Sequence, residues 1–260
     1  MFCRELNKEF ADKSEMIKAI IEDKQLIIDS KKAAIRHSDN FVATIKGDAT
    51  KAEQSIGSII YPVINTTNYM DSHGDVHGKG IWNKTVAEQA GKLYYVMDHE
   101  LDVNSVISYP KNVNPIVQSM SWNDLGFDYK GSTEALIYEI TLTGTEPQAF
   151  TRALYEGNLQ NSVRMQYINI ILCVEDSEFE QERANWDKYI KVVVNRELAE
   201  QVGYFWYVTE AKIVKEGSAV LFGSNDATPI LRNLSKKQEP AVVTPNINKG
   251  VTKRILILNN

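Results

Sequence analysis

The run Asn161-Ser162-Val163-Arg164-Met165-Gln166-Tyr167 constrains the chain most, because it stands where a helical pattern hands over to a long strand. Upstream, Thr145-Glu146-Pro147-Gln148 reads as a capping box with proline in the first turn; Phe150, Ala153 and Leu154 give one apolar face, and Gly157 stops the helix. In the strand, period-2 alternation sets Val163, Met165 and Tyr167 on one face and Ser162, Arg164 and Gln166 on the other. The second row continues as Ile168, Ile170 and Leu172, so it is polar only at its start. A strand of this pattern begins at a cleft and ends in a core, which makes Ser162 the candidate nucleophile.

With 260 residues and 43% hydrophobic content, the chain can bury a substantial core. The net charge of −5, with both signs interspersed, gives no general drive toward nucleic acid or an anionic membrane. No apolar run approaches ~20 residues, and Met1-Phe2-Cys3-Arg4-Glu5 lacks the apolar stretch of a secretory signal, so a cytoplasmic location is expected. Cys3 and Cys173 do not suggest a disulfide framework, and Cys173 reads as core packing.

Three regions are expected: a helical extension and linker over 1–55, a compact domain over 56–231, and an extended tail over 232–260 with Ile255-Leu256-Ile257-Leu258 as a docking strand. The extension carries Leu6, Phe10, Ile17, Ile20, Ile21, Ile27 and Ile28 near helical spacing. Strands are expected at Ile59 to Ile64, with Pro62 marking an edge or a bulge, at Leu93 to Met97, Val106 to Tyr109, Ile116 to Trp122 and Glu134 to Leu142, and at Tyr204 to Val208 and Ile213 to Phe222. Helices are expected from Trp82 to Ala90 and between Phe179 and Leu198, the second long and acidic, either continuous or broken, and ending before Gly203. The aromatic run Tyr204-Phe205-Trp206-Tyr207 reads as core.

His99, Ser162 and Glu216 are polar residues that follow or interrupt apolar runs. A serine hydroxyl attacks a carbonyl when a base takes its proton, and imidazole serves best when a carboxylate fixes its tautomer. A rival chemistry is a metal site made from Asp71, His73, Asp75, His77 and His99, residue types that suit zinc. The two loop histidines sit in a glycine-rich turn, so their spacing does not force convergence. The preferred reading has no metal and no cofactor, with Asp71 and Asp75 fixing the loop and His73 and His77 as polar loop residues.

Four segments carry a family resemblance. Asp71 through Gly80, followed by Ile81-Trp82, resembles the opening motif of the prohead serine proteases of tailed phages. Met97-Asp98-His99-Glu100 resembles their histidine motif, and Gly157-Asn158-Leu159-Gln160-Asn161-Ser162-Val163 their serine motif. Lys215-Glu216-Gly217-Ser218-Ala219-Val220 with Gly223-Ser224-Asn225-Asp226-Ala227 resembles their closing segment. The match covers roughly 56–231.

That family is similar in fold to herpesvirus assemblins. The resemblance therefore implies an α+β fold, a small, mostly antiparallel β-barrel flanked by helices, here with an N-terminal helical extension. It further implies His99 as general base, Ser162 as nucleophile and Glu216 as third member, with Glu210 as the alternative. Where many relatives have glycine two residues after the serine, this chain has Arg164, a candidate for the oxyanion loop or for substrate, as are Asp71 and Asp75; a surface salt bridge is its plainer role. The segment between Cys173 and Gly203 reads as an insertion that shapes access or homo-oligomer contacts. The expected activity is a serine endopeptidase that cleaves scaffolding protein or major capsid protein precursors, and itself, inside a procapsid in the bacterial cytoplasm. The alternative is a catalytically silent capsid-assembly protein with the same fold.

Overall fold

In the computed structural model the described residues are 1–36, 56–157, 159–225, 227–231 and 234. The linker, the Ile255-Leu256-Ile257-Leu258 strand and nearly all of the tail expected from the sequence lie outside them. The chain opens with β1 (Phe2–Cys3), β2 (Lys8–Glu9), α1 (Lys13–Glu22), α2 (Lys24–Ala33) and β3 (Ile35–Arg36). Then come β4 (Ile59–Thr66), β5 (Asp75–His77), α3 (Asn83–Gln89), β6 (Tyr94–Met97), β7 (Val106–Ser108), β8 (Val113–Ser121) and β9 (Ser132–Thr141). The last part holds α4 (Gln148–Glu156), β10 (Gln160–Val174), α5 (Glu180–Tyr189), α6 (Arg196–Val202), β11 (Tyr204–Val220) and β12 (Ile230–Leu231).

This is a mixed α+β fold built on one long antiparallel ladder, β10 against β11. Along its other edge β11 pairs in parallel with β5 at its start and with β6 at its end. The resulting sheet runs β3-β10-β11-β6-β7, and a second sheet runs β12-β4-β9-β8. Their inner faces meet in one core, where Ile64 and Tyr138 from the second sheet join Tyr95, Val163 and Ile213 from the first. Among the described residues no ladder closes the two sheets, but the irregular segment just before β12 clips them together. The Asn161 N–H donates to the Thr228 carbonyl at 3.0 Å, and the Val63 N–H to the Pro229 carbonyl at 2.8 Å.

The N-terminal helices are not an extension. Cys3, Phe10, Met16, Ile17, Ile20 and Ile27 are buried in the same core as Val163 and Trp206, and β3 extends the sheet by pairing with β10. The helical apolar spacing left open whether this region packs on the domain or on a partner, and its faces cover the domain's own sheet. Asp12 caps α1 by accepting the Glu15 N–H at 2.9 Å, while Glu15 accepts the Ala11 N–H at 3.1 Å.

Other expectations are also corrected. Thr145 and Gln148 do not form a capping box for α4: the N-cap is Pro147, which offers no side-chain acceptor, and the Thr145 hydroxyl lies 2.8 Å from that of Thr143. The long acidic helix takes its broken form, as α5 and α6, whereas the last two expected strands are the single β11. Of the two alternatives for Pro62, the edge does not hold, since β4 is an interior strand, while the bulge agrees with the register shift between Val63 and Asn65.

The row expected to run from Ser162 to Leu172 on one face is broken. Ile168 is an extra residue between the pairs Tyr167–Ala211 and Asn169–Glu210. This bulge flips the alternation, so Ile168 is exposed while Ile170 and Leu172 join Val163, Met165 and Tyr167 in the core. Along β11 the aromatic run divides by parity as a strand should: Tyr204 and Trp206 face the main core, Phe205 and Tyr207 a smaller one with Cys173 and Trp186. Burial pushes the Cys173 thiol far above its ordinary value.

Candidate active site

Ser162 stands opposite Ser218 in the β10–β11 ladder, and Ser218 stands opposite Val96 in the neighbouring β6. Directly opposed residues put their side chains on the same face, with Cβ atoms about 5 Å apart. Ser218 is also where His99 is anchored. The His99 N–H donates to Ser218 Oγ at 2.8 Å, and that hydroxyl donates to the Val96 carbonyl at 3.1 Å. Two residues earlier on β11, Glu216 Oε1 lies 2.8 Å from His99 Nδ1. Glu216 is fully buried and the His99 side chain nearly so.

Local backbone irregularity creates this placement. Asp98 and His99 both adopt positive φ, 48° and 60°, so β6 ends in a tight turn that carries the imidazole back over β11. On β11, Val214, Lys215 and Glu216 oppose the single residue Arg164 between the pairs Val163–Gly217 and Met165–Ile213, and Lys215 has φ 71°. A bulge of this kind re-aims side chains, and here it separates the direction of Glu216 from that of the regular strand. Gly217 follows because a Cβ there would lie 2.8 Å from Tyr138 Cε2 and 3.0 Å from Ile64 Cγ2.

Asn161 fixes the strand beside Ser162. Its side chain donates to the Thr228 carbonyl at 2.8 Å and accepts the Tyr95 hydroxyl at 2.6 Å, while Thr228 Oγ1 donates to the Asn161 carbonyl at 2.7 Å. Gln160 accepts the Gly223 N–H at 2.6 Å, and Asn225 is tied to Thr66. Thus the Gly223–Asn225 stretch is folded onto the start of β10.

Ser162 lines a small cavity of about 20 Å³ with Arg36, Asp71, His73, Ser224 and Asn225, room for roughly one water. His99 and Glu216 are not among its walls. Asp71 accepts the His73 and Asp75 N–H groups at 2.9 and 3.0 Å, and burial, then the charge of Asp75, push its carboxyl up to about 8.

Asp75, expected beside Asp71 at the cleft, points into the core instead. Lys31 Nζ lies 2.5 Å from its Oδ1, the Tyr167 hydroxyl donates to Oδ2 at 2.8 Å, and Arg36 stands 3.7 Å away. Burial pulls the Asp75 pKa up, but Lys31 and Arg36 outweigh it and hold the group below its ordinary value. His77 is no loop residue: it is buried in β5, 3.2 Å from the Tyr167 hydroxyl, and burial lowers its pKa to about 4. The proposed metal ligands are thereby divided between two places, and among the described residues no group of three or more His, Cys, Asp or Glu side chains is arranged to hold a metal ion.

Glu210 is not brought to His99. It pairs with Lys84 at 2.8 Å and accepts from the Asn169 amide at 2.9 Å, at the far bulge of the ladder. Arg164 is half-buried opposite the Glu216 bulge, and no ion pair joins it to an acid among the described residues. Sequence reasoning missed Ser218 and Arg36. The first was legible as the residue two beyond Glu216, on the same strand face; the second had no signal, since only β3–β10 pairing brings it to Ser162. No helix among the described residues is long and apolar enough to cross a membrane. No protein-family model matches the chain, and neither a curated protein nor a solved structure matches it.

Proposed function

We propose that the chain is a serine endopeptidase in which Ser162 is the nucleophile, His99 the general base and Glu216 the residue that orients the base. The observation that carries this reading is the buried His99–Glu216 contact of 2.8 Å, anchored through Ser218 to the position opposite Ser162. With Nδ1–H directed to the carboxylate, Nε2 is left as the basic nitrogen. Ser162 Oγ bonds to the scissile carbonyl carbon as its proton passes to Nε2, and the carbonyl electrons move to oxygen. Collapse breaks the C–N bond while Nε2 returns the proton to the leaving amine. Water then repeats the sequence on the acyl-enzyme.

On this reading the two packed sheets form the small barrel of a herpesvirus-protease-like fold. The substrates, by the same resemblance, are scaffolding or capsid precursor segments and the chain itself, cut within the procapsid in a bacterial cytoplasm. A silent assembly protein is the second reading, favoured by the burial of Ser162, which is only 4% exposed. A serine-directed phosphonate separates the two. Stoichiometric labelling of the wild type, lost in both Ser162→Ala and His99→Ala, is expected; labelling that persists in Ser162→Ala refutes the assignment.

A further inference from the structure

We propose that the cavity between β1, the loop around Tyr69 and α6 is the subsite that receives a bulky apolar side chain of the peptide substrate near the scissile bond. The proposal rests on the hydrolase reading above and assigns its specificity. The cavity measures about 460 Å³, within the ~300–1,000 Å³ of ordinary ligand sites. It shares Asp71, His73 and Ser224 as walls with the small cavity at Ser162, so an extended peptide passing Ser162 meets it next.

Its remaining surface is mainly apolar, built from Phe2, Tyr69, Met70, Leu198, Val202 and Tyr204. The two acids in its walls are already engaged. Glu5 accepts the Tyr204 hydroxyl at 3.0 Å and the Trp206 indole N–H at 2.9 Å, and Asp71 accepts two backbone N–H groups. Arg4, the cation in the walls, donates to His73 Nδ1 at 2.6 Å and to the Ser72 carbonyl at 3.5 Å. Beyond these groups the wall offers aromatic and aliphatic faces, which select Leu, Ile, Met or Phe over Lys. Four stretches distant in sequence converge on it, and two of them are the N-terminal hairpin and the segment of helices inserted between β10 and β11. A substrate subsite gives both segments a role.

The test exposes a randomised decapeptide library to the full chain and sequences the products by mass spectrometry. Bulky apolar residues should be enriched about tenfold at one position near the cleaved bond, and Leu198→Glu, on the exposed rim of the cavity, should abolish that enrichment or shift it to Lys and Arg. The melting temperature of Leu198→Glu should stay at the wild-type value, which separates a specificity change from a damaged fold. No apolar enrichment, or enrichment that Leu198→Glu leaves intact, overturns the subsite. If the wild type neither labels nor cleaves, the hydrolase reading fails on its own. The library is then retained on immobilised Ser162→Ala protein, where apolar enrichment removed by Leu198→Glu keeps the site and its absence overturns it.

Discussion

Nδ1 of His99 lies 2.8 Å from Oε1 of Glu216, a carboxylate with no solvent exposure. The contact fixes which imidazole nitrogen carries hydrogen, so an amide in place of the carboxylate reverses the tautomer while keeping the shape. Glu216→Gln should leave the melting temperature close to wild type and slow phosphonate labelling or peptide cleavage by roughly 10³–10⁴-fold. A rate within a few-fold of wild type would remove Glu216 from the catalytic group.

Lys31 and Asp75 are both buried, with 4% and 0% side-chain exposure, and their ion pair joins α2 to β5. Removing one member of such a pair strands the other charge, at a cost of about 3–5 kcal/mol. Lys31→Ala should lower stability to chemical denaturation by that amount, and Lys31→Met combined with Asp75→Asn should recover much of it. A loss below ~1 kcal/mol for Lys31→Ala would show that the N-terminal helices are not tied to the sheet in this way.

The loop at Asp71 predicts a stability that falls as pH rises through neutrality toward 8. Its folded pKa of about 8 exceeds the ordinary 3.8, so the folded protein keeps a proton that the unfolded chain releases, and this stabilisation is lost as pH rises toward 8. His77 acts in the opposite sense: lowered to about 4 from 6.5, it binds a proton only on unfolding, and its stabilisation is lost as pH falls below 6.5. The charges facing this pair, Asp75, Lys31 and Arg36, set the local field. Between pH 6.5 and 8 the His77 contribution is constant, and the Asp71 effect has a slope of up to about 1.4 kcal/mol per unit. Urea titrations across that window should show the decline, and Asp71→Asn should flatten it.

Gly217 has Tyr138 and Ile64 against the place where a Cβ would stand, at 2.8 and 3.0 Å. Gly217→Ala should cost about 1–3 kcal/mol by overpacking and, because Glu216 is its neighbour, should slow labelling as well. An unchanged melting temperature would mean that the Tyr138 ring moves aside freely.

Residue type and strand pattern offered His99, Ser162 and Glu216 only as polar residues that follow or interrupt apolar runs, and it was the family resemblance that gave them roles. Strand pattern did not distinguish Glu216 from Glu210. That choice depends on two bulges in the β10–β11 ladder, one opposite Arg164 and one at Ile168, and a bulge has no periodic signature in a single sequence. The same bulge at Ile168 reversed the expected face of Ile170 and Leu172. Asp75 and His77 were read as loop groups because the Gly-rich surroundings suggest a turn, yet parallel pairing with β11 buries both.

What the sequence determined by itself is local: helix and strand periods, the Gly157 and Gly203 stops where φ is 75° and 85°, and an apolar content able to fill a core. The tertiary structure alone decided which elements share that core and which polar groups meet. Apolar spacing says that α1 and α2 must cover something, but only the buried Lys31–Asp75 pair and the β3–β10 register say what. The reason is physical. Periodicity reports the direction of a side chain relative to its own element, whereas ladder register and buried charge pairing depend on partners far along the chain.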